Sequence, residues 1–507
     1  MAMEILFVAS ELAPMVKVGG LADVVAALSK ALRLLGHKVT IALPRYPGVE
    51  AGGLMLARRL TPVVLAADAQ RGIPGAEVTV YDGRLGSGVD LLVLDAPGLY
   101  DRPGIYGEGG VDYTDNDRRF GLFCRAVAEI VKGRAEAGSP FDIVHAHDWP
   151  AALVPYLLRE KGVAARTVLT IHNLAHQGLF PREAAAHAGL GAEHFTVDRL
   201  EFYGRVSFLK AGILAADQIT TVSTTYAREI LTPELGERLD GVLRLREKQL
   251  VGIVNGIDYA VYNPMTDPAL AARYDADDPG NKGRCKAALL QELGLEIRPE
   301  RPLLVSIGRV VPQKGSDLLA SAIPKILKSD VAVAVAGTGD PVLVSKLQAA
   351  VAKSPERAMV LGAAPEAIIH RLLAAADAVI IPSRYEPCGL VQLYAQRYGA
   401  VPVACRTGGL SDTIVDCDAA LETGSGFLFD KPTATALVGG VQRALAAMTS
   451  PRWAALRRRV MRLDLGWDRP ARRYASVYRA AIEGRRLPEP AAAQGDTPRP
   501  PTAPPTA

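Results

Sequence analysis

Cysteine is scarce in this chain. Cys124, Cys285, Cys388, Cys405 and Cys417 are the five in 507 residues, and no Cys-x-x-Cys spacing occurs. An odd, scattered set fits the reduced thiols of a cytosol and argues against a disulfide framework or a thiolate zinc site. Long hydrophobic runs are missing as well, since no stretch approaches the ~18 apolar residues that cross a bilayer. The opening MAMEILFVASE has no basic leader and breaks its apolar run at Glu11. It reads as a first strand and not as a secretion signal, so the expected compartment is the cytoplasm. Strong charge of either sign is absent too: a net +4 over this length gives no field for nucleic acid or a membrane surface. Any anion site must be local. There is no G-x-S-x-G elbow, no phosphate-binding P-loop and no H-E-x-x-H helix.

What is present is an ordinary globular composition, 49% hydrophobic and 22% charged, long enough for two or three domains. Residues 4–9 (EILFVA) have strand length, and Leu21, Val24, Val25, Leu28, Leu32 and Leu35 then recur at helical spacing. KVTIALP begins a second strand after Gly36-His37. Strand, helix and strand with short connections make a βαβ unit and predict a parallel sheet. The rhythm continues at 91–97, 142–149, 167–173, 218–223 and 251–258, pauses over the polar stretch 263–283, and resumes at 302–309, 331–337, 358–363, 378–383 and 401–406. The expected class is therefore α/β, with two doubly wound domains joined near 256–265. The boundaries read as 1–255, 256–467, a helix over 468–486 returning to the first domain, and a disordered Pro/Ala-rich tail over 487–507.

In open α/β sheets ligands bind beyond the carboxyl ends of the strands. Lys17-Val18-Gly19-Gly20 follows the first strand and opens a helix, with Asp23 in the first turn. Glycine amides and a helix N-terminus suit an anion, although a plain turn with a solvated lysine explains the same residues. Gly308-Arg309 through Lys314-Gly315 follows the first strand of the second domain, and its two cations suit a diphosphate. After AVIIPS comes Glu386, before a Pro and a Gly, where a carboxylate can accept hydrogen bonds from sugar hydroxyls while Gly389 and Leu390 offer amides. Thr407-Gly408-Gly409 repeats the glycine-pair device. His145-Ala146-His147 has no third ligand at a metal spacing, so no metal site is expected. The Asp-x-Asp pairs at 275–277 and 416–418 read as solvated. Gly337-Thr338-Gly339-Asp340 lacks the third glycine of a dinucleotide fingerprint.

Several longer motifs occur in one order: KVGGLADVV, YDRPG, HAHDW, TIHNLAHQG, SFLKAG, VNGID, QKGSDL, SRYEPCGLVQLYAQRYG and RTGGL. Together they resemble the bacterial glycogen synthases and plant starch synthases over nearly the whole chain to residue 482. The resemblance implies two Rossmann-like domains facing each other across a cleft, the GT-B arrangement. It also implies transfer of glucose from ADP-glucose to the non-reducing end of an α-1,4-glucan, with retention and with no cofactor. Glu386, His172, Arg309 and Lys314 are the implied catalytic residues. Lys17, Gly19, Gly20, Asp23, Asp148, Asn255, Cys388, Gly389, Leu390, Thr407, Gly408 and Gly409 are the implied substrate-binding set. Two departures stand out. Tyr394 occupies the place, eight positions after Glu386, where the wider retaining family often has a second Glu, as the synthase subgroup allows. Ala364 stands where relatives carry a base-stacking Tyr, which leaves UDP-glucose open as the donor. The alternatives are a sucrose or trehalose-phosphate type glucosyltransferase of the same fold, or a catalytically idle sugar-nucleotide-binding protein.

Overall fold

The computed structural model describes residues 2–485, so the tail expected over 487–507 lies outside the described residues. The first strand, Glu4–Val8, is buried beyond its first residue, and helix Gly20–Leu34 follows. Leu21, Val24, Val25, Leu28 and Leu32 all fall on the buried face of that helix, as their spacing requires. Gly36, at a φ of 90°, turns the chain into Lys38–Pro44, which lies parallel to the first strand. Left-handed backbone at this point suits a residue without a Cβ.

Seven strands of the first sheet are parallel: Glu4–Val8, Lys38–Pro44, Asp90–Asp95, Ile143–His147, Arg166–Ile171, Gln218–Thr221 and Leu250–Gly252. Numbered along the chain, they lie in space in the order 3-2-1-4-5-6-7. The second sheet has six strands, all parallel: Leu303–Ile307, Ala332–Ala336, Ala358–Leu361, Ala378–Ile381, Val401–Cys405 and Phe427–Phe429. Their order is 3-2-1-4-5-6. In each sheet the order reverses beside strand 1, between Glu4–Val8 and Ile143–His147 in one and between Leu303–Ile307 and Ala378–Ile381 in the other. Such a reversal opens a crevice at the carboxyl ends, because the connections on either side leave in opposite directions.

Three details differ from the expectations. The first sheet is mixed, because Ala76–Arg84 runs antiparallel to Asp90–Asp95, and Ala57–Arg58 and Val63–Leu65 pair with it in turn. Residues 85–89 are too few for a crossover, so only a hairpin can close there. Of the run 251–258, only the start pairs in the strand Leu250–Gly252; the rest carries the chain to the second sheet. The stretch 263–283, expected to be an interruption, buries Asp267 and Tyr274, with Tyr274 donating to the Tyr398 carbonyl at 2.8 Å.

Outward and returning crossings touch. Ile257 N donates to the Leu465 carbonyl at 2.8 Å, and a Cβ on Gly256 would meet the Gly466 carbonyl at 2.6 Å. Beyond them helix Asp468–Glu483 returns to the first core, adding Trp467, Ala471, Tyr474 and Tyr478 to it. The Tyr478 hydroxyl lies 2.8 Å from His145 Nδ1, inside the first sheet. No described helix is long and apolar enough to cross a membrane. Replacing Tyr478 by Ala is expected to cost about 3–5 kcal/mol of stability, and Tyr478→Phe about 1 kcal/mol, both read by calorimetry. Equal unfolding temperatures for Tyr478→Ala and the parent would show that the returning helix is not part of the first core.

Candidate active site

At the second switch point, strand Leu303–Ile307 releases the loop containing Arg309 and Lys314, and strand Ala378–Ile381 releases the loop containing Glu386. Glu386 is only 5% exposed. Its Oε2 accepts from Lys314 Nζ at 2.5 Å and from Ser383 Oγ at 3.0 Å. Burying a carboxylate this far is costly without such partners. Arg384 grips Asp317 through both terminal nitrogens at 2.7 Å, fixing one loop against the other. Arg309 is exposed, its guanidinium 3.5 Å from Gln313 Oε1. Its charge lies near enough to His176 of the first lobe to help burial lower that imidazole.

At the first switch point, Asp148 follows strand Ile143–His147 at a φ of 56°, a left-handed conformation uncommon for a non-glycine residue. Its Oδ1 accepts from the backbone amides of His172 and Asn173, at 2.7 and 3.4 Å. Burial outweighs those bonds and pushes the carboxyl up to about 7. His172 Nε2 faces His147 Nδ1 at 3.1 Å, and burial pushes the His172 imidazole down to about 3. His145 spends both ring nitrogens on Tyr478 and Thr170. The His-x-His pair is thus a packed column of neutral rings. Among the described residues no group of three or more His, Cys, Asp or Glu side chains is placed to hold a metal ion.

Lys17 reaches across the cleft. Its Nζ lies 2.9 Å from Asp23 Oδ1 and 3.0 Å from Glu366 Oε1 of the second lobe. Burial opposes the charge, but Asp23, Tyr262 and Glu366 more than offset it and raise the ammonium above its usual range. Asp23 also accepts from the Tyr394 hydroxyl at 3.4 Å, and Tyr394 stacks on Tyr262 with ring centroids 3.6 Å apart. Gly20 lets the lobes touch, since a Cβ there would come within 2.9 Å of Leu390. Cys388 is buried beside Asn255, whose Oδ1 has no hydrogen-bond partner among the described residues. Glu386, Cys388, Gly389 and Leu390 lie in the turn before helix Val391–Arg397 and outside the helix itself.

The expectation that both glycine pairs present bare amides is corrected. Val18 N and Gly19 N donate to Glu11 Oε2 at 2.8 and 3.0 Å, and Gly408 N donates to Glu229 Oε1 at 3.0 Å. The first N–H groups of a helix have no partner inside it, and within a packed interface a carboxylate supplies one. Gly408 and Gly409 are small for a steric reason as well: Cβ atoms there would meet the Glu386 and Cys388 carbonyls at 2.0 and 2.1 Å. Gly337-Thr338-Gly339 pairs along Val310, and Asp340 caps helix Pro341–Val351, which accounts for that motif within the sheet.

Glu11, Glu229, Glu366, Tyr262 and Asp412 escaped the sequence reading. Glu11 left a trace, since a carboxylate interrupting an apolar run just after strand 1 is placed where the crevice opens. Glu366 looks like an ordinary acidic first-turn residue. Glu229 ends a short helix and carries no local mark.

Two doubly wound sheets, each with its switch-point loops turned toward the other lobe, and a last helix that returns to the first, define a GT-B glycosyltransferase. The comparisons agree. The starch synthase catalytic domain model matches residues 4–245, and the glycosyl transferases group 1 model matches residues 293–454. A glycogen synthase of Serratia proteamaculans is 42% identical over 94% of this chain and 99% of its own. Starch synthase IV of Arabidopsis thaliana, whose catalytic domain was solved with ADP and acarbose, superposes with a TM-score of 0.86 at 32% identity, covering 95% of this chain and 100% of that one. A sucrose-phosphate synthase of Thermosynechococcus elongatus shares the fold alone, with a TM-score of 0.58 at 18% identity over 95% of this chain and 99% of its own. The chain belongs to the bacterial glycogen synthase and plant starch synthase family.

The buried imidazoles carry a consequence for stability. Unfolded histidines titrate near 6.5, whereas His145, His147 and His172 stay neutral far below that value. As pH falls below about 6.5 the unfolded chain binds protons that the folded chain does not, and stability is lost, by up to about 1.4 kcal/mol per pH unit for each group. Asp148 acts in the opposite sense, since its raised carboxyl stabilises below its unfolded value and that contribution is lost as pH rises through about 7. Three groups outweigh one. Calorimetry should show the unfolding temperature falling from pH 6.5 to 4.5, with a shallower fall in His172→Asn. A flat profile would contradict the burial of these rings.

Proposed function

We propose that this chain transfers glucose from ADP-glucose to the non-reducing end of an α-1,4-glucan, with retention at the anomeric carbon. The observation that carries the reading is the buried Glu386 carboxylate held by Lys314 at the switch point of the second sheet; in this reading it works together with the Asp148–His172 corner of the first. The donor follows the Arabidopsis relative, whose solved structure holds ADP. The glucan acceptor follows the curated relatives, which are named glycogen synthases. In this reading residues 1–255 form the acceptor side, 256–467 bind the sugar nucleotide, and 468–486 tie the lobes together, in a cytoplasmic enzyme.

Each residue then has a chemical task. Arg309 and Lys314 take up the negative charge of the departing diphosphate, with Lys314 shared between the phosphate and Glu386. Glu386 holds glucose hydroxyls and stabilises positive charge developing at the anomeric carbon. His172, neutral, lines the glucosyl pocket with Asp148 and Asn255. Cys388, Gly389 and Leu390 close it from the second lobe, and Lys17, Gly19, Gly20 and Asp23 from the first. Thr407, Gly408 and Gly409 shape the floor near the phosphates. In this reading no covalent glucosyl intermediate forms. The acceptor hydroxyl attacks the anomeric carbon from the face that the diphosphate leaves, and its proton passes to a phosphate oxygen. Drawing the lobes together keeps water from that carbon.

Labelled ADP-glucose and UDP-glucose, each offered with glycogen, test the reading. Incorporation from ADP-glucose supports it, and preference for UDP-glucose shifts the donor, as Ala364 leaves open. A soluble disaccharide product would instead indicate the sucrose or trehalose-phosphate type, and donor binding without transfer an idle relic. Arg309→Ala should lower turnover by about 10²–10³ at an unchanged unfolding temperature, and Lys314→Ala should lower turnover as much while also lowering the unfolding temperature, because it leaves the buried Glu386 carboxylate with Ser383 as its remaining partner. Near-normal turnover in both would remove their assigned roles.

A further inference from the structure

The two lobes exchange carboxylates at a pair of short helices. Helix Thr224–Glu229 belongs to the first lobe and helix Gly408–Thr413 to the second. At one end, Asp412 Oδ2 accepts from Ser223 Oγ at 2.6 Å and from Thr225 N at 3.1 Å, while its Oδ1 accepts from Thr225 Oγ1 at 2.6 Å. At the other, Glu229 Oε1 accepts from Gly408 N at 3.0 Å and from Thr407 Oγ1 at 3.3 Å. Each helix thus sends a carboxylate to the start of the other. Ser223 also caps its own helix by accepting from Tyr226 N, so Asp412 docks on a group already fixed in place.

The segment that Glu229 holds leads directly to the reaction centre. Gly409 N donates to the Glu386 carbonyl at 3.0 Å, and the backbone of Gly408 and Gly409 lies so close to residues 386–388 that no Cβ fits between them. Thr413 Oγ1 donates to the Gly409 carbonyl at 2.6 Å and accepts from Gln392 Nε2 at 3.1 Å, which braces the same turn from behind. The Glu386 side chain is therefore held by Lys314 and Ser383, while its backbone carbonyl is held by a segment that a first-lobe carboxylate grips. Glu229 Oε2 is buried with no hydrogen-bond partner among the described residues, so this carboxylate gives up part of its own solvation to make the contact.

We propose that Glu229 is a positioning residue for Glu386: seating the first lobe on the 407–413 segment, through Glu229 and the Asp412 contacts, sets the geometry of a carboxylate that belongs to the second lobe. The competent site then exists only when the lobes are engaged. Charge at the anomeric carbon is stabilised only where acceptor and donor are both enclosed, and a misplacement near 1 Å at such a group costs about a hundredfold in rate. The proposal rests on the reading of Glu386 as the group that acts on the glucosyl unit.

The test compares Glu229→Ala, Glu229→Gln, Thr225→Val and Glu386→Ala in the full chain, with ADP-glucose and glycogen. Glu229→Ala is expected to lower kcat about ten- to a hundredfold with little change in donor KM, in ADP-binding stoichiometry or in unfolding temperature. Glu229→Gln keeps an acceptor oxygen and should recover most of that loss. Thr225→Val, which loosens Asp412 without opening a void, should lower kcat in the same direction and serves if Glu229→Ala does not fold. An unchanged kcat in Glu229→Ala, a loss that only follows the fraction of chains binding ADP, or a Glu229→Gln as impaired as the Ala variant would overturn the positioning role. Full activity in Glu386→Ala would overturn the site reading beneath it, whereas an inactive Glu386→Ala beside a normal Glu229→Ala would overturn the positioning role alone.

Discussion

A carboxylate at 5% exposure, with one lysine and one serine on a single oxygen, is the interaction on which the rest of this structure depends. Burying such a group is costly unless the fold holds its partners in place. The Rossmann order of the second sheet does the fixing. Strands 1 and 4 are neighbours, so the loop carrying Lys314 and the loop carrying Glu386 emerge side by side although 72 residues separate them. Arg384 and Asp317 lock those loops together, and the glycines of the 407–409 turn bring a third backbone segment against the second.

The first lobe repeats the topology with different chemistry. Its crevice carries the neutral His172 imidazole and the Asp148 carboxyl, which burial moves up to about 7, beside the Glu11 and Asp23 carboxylates. Cations concentrate on the second lobe, with Lys17 as the first lobe's contribution. That division suits a reaction in which a highly charged diphosphate stays on one side while a neutral sugar chain approaches from the other. Glu11 and Glu229 already occupy the amides of Gly19 and Gly408, which leaves those two amides no part in simple anion capture. Gly20, Gly408 and Gly409 serve close packing, and charge neutralisation falls to side chains.

Much of the fold was legible in the residues. The helix at 20–34 follows from apolar spacing, the strands from short apolar runs, and the returning helix from Ala471, Tyr474, Tyr478 and Ala481 at helical intervals. The hairpin at 76–95 was not, because its partly buried strand carries polar and charged residues among its apolar ones, a weak pattern beside the buried parallel strands. At the candidate site, Lys17, Arg309, Lys314 and Glu386 follow strands and were found on that ground, whereas Asp148 and His172 came only through the family resemblance. Glu366, Tyr262, Asp412 and Glu229 were not, since each acts on a partner more than 100 residues away in the chain.

By itself the sequence determined the parallel strands and most of the helices between them, that they form two doubly wound domains, and which loops follow their carboxyl ends, because periodicity and glycine placement are local properties of the chain. It determined the family too, through long motifs in a set order. Only the tertiary structure decided which of those loops meet, which carboxylate caps which helix, and that a residue of the first lobe reaches the backbone behind Glu386. The physical reason is that a hydrogen bond or ion pair is specified by distance in space, and two surfaces brought together by a crossing at Gly256 and a return at Gly466 leave no periodic trace of the contacts they make.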